Sequence, residues 1–468
     1  MEKWTVIIYF LFMGVLLFVG KILKTKLPFL NRIVLPTALL GGALGLLFSD
    51  VVIPGSYSID TSVMTTIVYH CLALGFISLT LKQGKTKGNK KIWSTGMIIT
   101  STYALQGFLG ILLVLIFFSD KFVGSGMLLA LGFGQGPGLA QSFGNMWTEM
   151  LGGHGATLGV SYAVLGFVVG GTIGVLLINL LSRQKNIKKT KRYYDTSITT
   201  HDIKIDTVKE VSVMDGLTIQ IAIISVIYFF VWGTLYLLSG LLTTETGGTI
   251  GDTVYGLLEG FNFIIGIFYA MLYKVIINRI QEHGKDMSFM TNDYVLSNLS
   301  SYFFNIMICG AVLTITFDFL KTYGILLAVV ATIGASVTLL YLRFVTRRVY
   351  DEHKDEYFVG LFGMLTGTAS TGIALLKGLD KNLETPVAEE LVLGSGTAIT
   401  IALPLFVFLM LPAMGYDVVD DVLLGANANK VLFEYIALFG ILLYFLVVVM
   451  ILILRSRKSS KIKPNQKK

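Results

Sequence analysis

Two short runs concentrate polar groups that the rest of an apolar chain lacks. The first reads Leu131-Gly-Phe-Gly-Gln135-Gly-Pro137-Gly-Leu-Ala-Gln141-Ser142-Phe-Gly144-Asn145. The second reads Gly360-Leu-Phe-Gly363-Met-Leu-Thr366-Gly367-Thr368-Ala-Ser370-Thr371-Gly372. Gln135, Gln141, Ser142 and Asn145 bring amides and a hydroxyl to one run, while Thr366, Thr368, Ser370 and Thr371 bring hydroxyls to the other. Oxygens of this type replace water around an alkali cation. Amide groups and backbone N–H groups, including those of Gly136, Gly138 and Gly367, meet a carboxylate. The competing reading is that the small residues only let helices approach closely. The Gln135-Gly-Pro-Gly sequence exceeds what packing requires.

These residues must sit on interrupted helices. Glycine costs about 1 kcal/mol and proline about 3 kcal/mol in a helix interior, so no continuous helix tolerates Gly134, Gly136, Pro137 and Gly138 together. Both runs have apolar flanks, which places the breaks at membrane depth. Irregular backbone survives there only inside protein or against a water-filled cavity. Two re-entrant hairpins are expected, over 125–150 and 355–378, one entering from each side. At each tip the second half-helix opens with free N–H groups, which favour an anion by about 0.3–1 kcal/mol.

The composition supports a membrane setting. The 468 residues are 54% hydrophobic and only 14% charged, against about 45–50% and about 25% in soluble proteins. Mean hydropathy is +0.73. Soluble enzymes, nucleic-acid binders and disordered scaffolds are excluded on this ground. Cys71 and Cys309 both lie in apolar runs without a CxxC pattern, so no disulfide framework or metal knuckle is indicated.

Eleven stretches have the length and apolarity of membrane spans: 4–20, 30–49, 62–81, 92–118, 155–182, 214–240, 253–277, 293–316, 322–345, 388–413 and 430–454. With the N-terminus outside and the C-terminus cytoplasmic, every Lys and Arg falls inside except Lys3, Lys121, Lys321 and Lys430. That is the asymmetry expected of cytoplasmic loops. The net charge of +8 is therefore a topology signal, with no nucleic-acid partner implied.

The polar stretch 183–213 reads as a cytoplasmic linker between two halves, 1–182 and 214–413; an extra helix and a basic tail occupy 414–468. Each half has five spans and one broken stretch between its fourth and fifth. An odd span count makes the halves face opposite ways, as in inverted-repeat carriers. At an offset of 228 residues, Gly132 meets Gly360, Ser142 meets Ser370, Gly144 meets Gly372, and Val164-Leu165-Gly166 meets Val392-Leu393-Gly394.

Other polar residues are less telling. His70 is a proton or substrate group or is satisfied by a neighbouring helix. His154, among glycines, reads as a helix-start residue. Glu259, two turns into its span, is costly to bury. Glu149 and Lys377 occupy matching hairpin ends and snorkel to opposite interfaces. Gln106 and Asn298 are mid-span amides suited to helix–helix hydrogen bonds.

Several segments together resemble the bacterial sodium:glutamate symporters. Ile33-Val-Leu-Pro36-Thr-Ala-Leu-Leu-Gly41-Gly42 looks like that family's second helix. Gly132–Asn145 is similar to its first glycine-rich hairpin, Gly166–Gly174 to the helix that follows, and Gly360–Gly372 to the second hairpin. Leu296–Ser300 and Phe344–Arg347 are alike in character. The resemblance spans 4–413. Two departures stand out: Gln135-Gly-Pro-Gly replaces a Gly-Gly-His-Gly type of sequence, and Thr397, Thr400, Ala402 and Leu405 occupy a helix that commonly carries acidic and amide groups.

The resemblance implies an all-α polytopic membrane protein of two inverted five-helix repeats, each with a re-entrant hairpin, plus one C-terminal helix. It implies a homodimer in the plasma membrane and an elevator-like movement that imports an acidic amino acid with sodium. Sodium is the coupling ion, no other cofactor is expected, and Ser395, Thr397 and Thr400 are candidate sodium ligands. A carrier or exchanger for another organic anion, such as a 2-hydroxycarboxylate, shares the same plan. An ion channel is the remote alternative. No enzyme motif appears on the spans.

Overall fold

The structure is a computed structural model. It describes residues 5–27, 36–49, 53, 59–82, 90–184, 216–243, 251, 255, 258–259, 262–283, 290–380, 385–419 and 422–462. The linker expected at 183–213 lies almost wholly outside the described residues.

Fifteen α-helices account for nearly all of the described chain. The first seven are α1 (Thr5–Lys26), α2 (Thr37–Leu47), α3 (Thr61–Leu81), α4 (Lys90–Phe117), α5 (Gly124–Gly134), α6 (Pro137–Met146) and α7 (Gly155–Gln184). After the linker come α8 (Gly216–Leu242), α9 (Asn262–Glu282), α10 (Asp293–Leu313), α11 (Phe317–Val349), α12 (Lys354–Leu365), α13 (Ala369–Leu376), α14 (Val387–Met410) and α15 (Lys430–Ile462). A two-stranded antiparallel hairpin, β1 (Tyr416–Val419) with β2 (Val422–Ala426), joins the last two helices.

Ten of these helices are long and apolar enough to cross a membrane. The chain is an all-α, multi-span membrane protein. One expected span is described only in part. Within 30–49 the described helix is α2, only 11 residues long, which rises about 16 Å against roughly 30 Å of hydrocarbon. Pro36 precedes it, and the ring of a proline disfavours helical geometry at the residue before it. Residues 28–35 lie outside the described residues.

Local sequence sets several helix starts. Asp60 caps α3 by accepting from the N–H groups of Ser62 and Val63 at 3.0 and 3.4 Å. Asn292 caps α10 through Tyr294 and Val295, each at 3.1 Å. Such caps satisfy donors that the first helical turn leaves unpaired.

The chain folds into two compact units, and each draws on both halves of the sequence. One gathers α1 through Ile22, then α2, α3, α8, α9 and α10. Its interior includes Ile77, Leu81, Ile224, Ile227, Val231, Ala270 and Leu296. The other gathers α4 to α7 and α11 to α15. Both helix breaks, between α5 and α6 and between α12 and α13, belong to this second unit.

Candidate functional site

The first break is two residues long, Gln135 and Gly136. Gly136 has φ +87° and ψ −179°, a conformation essentially reserved for glycine. Pro137 opens α6 at N1, where its missing N–H costs nothing. The same proline has no N–H to offer the Phe133 carbonyl four residues before it.

The second break runs from Thr366 to Thr368. Thr366 closes α12 by donating its N–H to the Phe362 carbonyl at 3.0 Å. Thr368 is extended, with φ −144°, and starts α13.

The two breaks meet. A Cβ on Gly136 would stand 3.3 Å from Cγ2 of Thr368 and 3.7 Å from the Gly367 carbonyl oxygen. Helix α7 runs alongside and presents two glycines to the second break. Gly166 backs onto the Thr366 carbonyl and the Phe133 ring, and the Cβ position of Gly170 lies 2.8 Å from Thr366 Oγ1. On the same helix, Phe167 reaches within 3.1 Å of the Cβ position of Gly367.

Gln106 of α4 joins this arrangement from the side and is fully buried. Its Nε2 donates to the Leu365 carbonyl and to Thr338 Oγ1 of α11, both at 3.0 Å. Its Oε1 lies 3.1 Å from the Cβ position of Gly134. Sequence reading saw only a helix–helix amide here. A lone amide in an apolar span was the available signal, but the partners are more than 200 residues away along the chain.

The expected site residues divide into groups. Gly136, Gly367 and Thr368 stand at the meeting point, with Gln135 half-buried beside them. Gly138, Gln141 and Ser142 are buried on α6, and Gln141 Oε1 has no hydrogen-bond partner among the described residues. Thr366 is fully buried but donates its hydroxyl back to the Phe362 carbonyl at 2.7 Å. Thr371 is buried, its Oγ1 3.4 Å from that of Thr368. The Ser370 side chain lies outside what is described, although its backbone is in α13. Asn145 is exposed, eight residues into α6 from Pro137, or about 12 Å along the helix. It is not gathered at the tip.

Ser395, Thr397 and Thr400 form a separate group on α14. Ser395 Oγ donates to the Val392 carbonyl at 2.6 Å, and Thr397 Oγ1 to that of Gly394 at 2.9 Å. Thr397 packs against Gly96 of α4, ten residues, or about 15 Å of helix rise, from Gln106. Thr400 is exposed.

His70 pairs its Nδ1 with the Tyr228 hydroxyl at 2.6 Å inside the first unit, and His154 Nε2 lies 3.2 Å from Asp318. Tyr69 donates to the Glu259 backbone carbonyl at 3.0 Å. Sequence reading missed a buried chain at the other end of α12. Tyr357 donates to Glu390 of α14 and stacks on Tyr350 at 3.5 Å, and Tyr350 meets Thr95 Oγ1 at 2.7 Å.

Two interrupted helices facing each other in one unit, within a bundle of membrane-length helices, define a membrane transport protein of the broken-helix type. The family model for sodium/glutamate symporters matches residues 4–382, and the chain belongs to that family. The match takes in both breaks and stops short of α14. No curated protein and no solved structure matches the chain.

Proposed function

We propose that the protein imports glutamate, or a closely related acidic amino acid, together with sodium, and that the substrate binds where the two breaks meet. The observation that carries this reading is the approach of Gly136 to Thr368 and Gly367. It sets the N-termini of α6 and α13, which favour a carboxylate, beside the C-termini of α5 and α12, which favour a cation. Gln135, Gly136, Gly138, Gln141, Ser142, Thr366, Gly367, Thr368, Ser370 and Thr371 are the proposed lining. Asn145 is left at its margin.

Electrical cost explains the need for sodium. Moving one charge across 100 mV is worth about 2.3 kcal/mol, so a lone anion entering an inside-negative cell loses about fifty-fold in accumulation. Two or more sodium ions make the loaded carrier net positive, and the potential then drives entry.

Both breaks lie in one compact unit, which supports an elevator-like alternating access in which that unit carries the site. The basic loops support an N-terminus outside and a cytoplasmic C-terminus. The recurrence at 228 residues supports two inverted repeats, and a homodimer follows from the family resemblance. A competition panel on reconstituted protein tests the substrate class. Acidic amino acids should displace labelled glutamate at far lower concentration than 2-hydroxycarboxylates, and the reverse order would assign the carrier to the second class.

A further inference from the structure

The orientation of Gln106 is dictated by its partners. The Leu365 carbonyl only accepts, so the amide nitrogen must face it, and the second N–H goes to Thr338. Both donors are therefore used, and Oε1 points the other way, towards Gly134. This oxygen is buried and has no hydrogen-bond partner among the described residues. An acceptor left in that state forfeits about 1–3 kcal/mol unless something meets it.

The surroundings select what that something is. Gly134 ends α5, and Pro137 leaves the Phe133 carbonyl without its helical partner. Oε1 thus lies beside the C-terminal, partially negative end of a half-helix. The ring of Tyr103 packs on the same glycine. A neutral amide oxygen beside the C-terminal end of a half-helix suits a dehydrated alkali cation and repels a carboxylate.

We propose that Gln106 Oε1 and the terminal carbonyls of α5 form a sodium site. The proposal rests on the symport reading above and deepens it by placing the ion. It also supplies a link between ion and substrate. The amide that meets the ion with its oxygen holds the Leu365 carbonyl with its nitrogen, one residue before the break that faces Gly136. An occupied site fixes Gln106 and, through it, the second break.

The test is a sodium titration of the purified full-length protein without glutamate, read as thermal stability against choline chloride at equal ionic strength. Sodium should raise the Tm of the wild type. Even outer partners of metal ligands are worth about 10–100-fold in affinity, so Gln106→Leu should raise the half-saturating sodium concentration by about tenfold or more. Thr338→Val removes an outer partner of the ligand and leaves Oε1 in place, so it should weaken sodium less than Gln106→Leu does. Thr397→Val probes the α14 group and should stay close to the wild type. Should Gln106→Leu fail to fold, Gln106→Met, which keeps the length and shape but offers no oxygen, carries the test and should likewise raise half-saturation by about tenfold or more. No sodium-specific shift in the wild type, as when water fills the place, overturns the proposal. So does a shift that Thr397→Val abolishes and the Gln106 variants leave intact. Failure of the symport reading looks different, because the sodium shift then persists while glutamate is neither bound nor transported.

Discussion

Gly136 and Thr368 face each other across two helix breaks that lie 232 positions apart in sequence, with 3.3 Å between the Gly136 Cβ position and Thr368 Cγ2. Two constraints act on Gly136, and they differ in size. A 3.3 Å approach is relieved by a shift of a few tenths of an ångström. A backbone at φ +87° costs a residue with a Cβ about 1–3 kcal/mol. Gly136→Ala should therefore cut initial uptake by about tenfold or more at equal surface expression. Thr368→Ser, which deletes Cγ2, should not rescue it. Full rescue would show that contact rather than backbone conformation is what matters there.

Hydrogen bonds to a charged ligand are worth about 1.5–3 kcal/mol. Gln135→Ala and Thr368→Val should each raise the glutamate concentration for half-maximal uptake by about 10–100-fold, with expression unchanged. Ser370→Ala is expected to act in the same direction. Unaltered kinetics in Gln135→Ala and Thr368→Val would move the substrate away from the meeting of the breaks.

Asp60 gives a pH dependence that can be isolated. The Ser62 hydroxyl, donating at 2.7 Å, and the N–H groups of Val63 and Ser62 hold its carboxyl below the ordinary 3.8. Its capping of α3 is complete at neutral pH and is lost as pH falls below 3.8 through that depressed value. Asp60→Asn keeps an acceptor at the cap but does not titrate. The Tm of the wild type should fall more steeply than that of Asp60→Asn in this acid range, and parallel curves would contradict the assignment.

The orientation rests on the basic loops. A cysteine introduced by Lys188→Cys, in the linker outside the described residues, should resist a membrane-impermeant maleimide in intact cells and react in inside-out vesicles. Labelling of intact cells would reverse the topology.

The first break was legible in the sequence because glycine and proline act locally: Gly134, Gly136, Pro137 and Gly138 together forbid one continuous helix whatever surrounds them. Membrane-length helices were legible because apolar length is a local property as well. That the described helix of the 30–49 stretch starts only after Pro36 was less so, since apolarity alone does not mark a helix start. Gln106 was legible as a helix–helix hydrogen-bonding amide, but its particular partners were not. Its type is common in helix–helix contacts, and its partners Thr338 and Leu365 are supplied by other helices far along the chain. Glu390 was missed for the same reason, because the tyrosine that satisfies it, Tyr357, belongs to a different helix. The gathering of α4 to α7 with α11 to α15 into one unit is likewise a product of long-range packing.

The most direct measurement is uptake of labelled glutamate into proteoliposomes under an imposed inward sodium gradient. Accumulation should require sodium outside, collapse when the gradient is dissipated, and increase when the interior is made electrically negative. Equal accumulation with choline in place of sodium, or slower entry with a negative interior, would contradict sodium-driven import through the paired breaks.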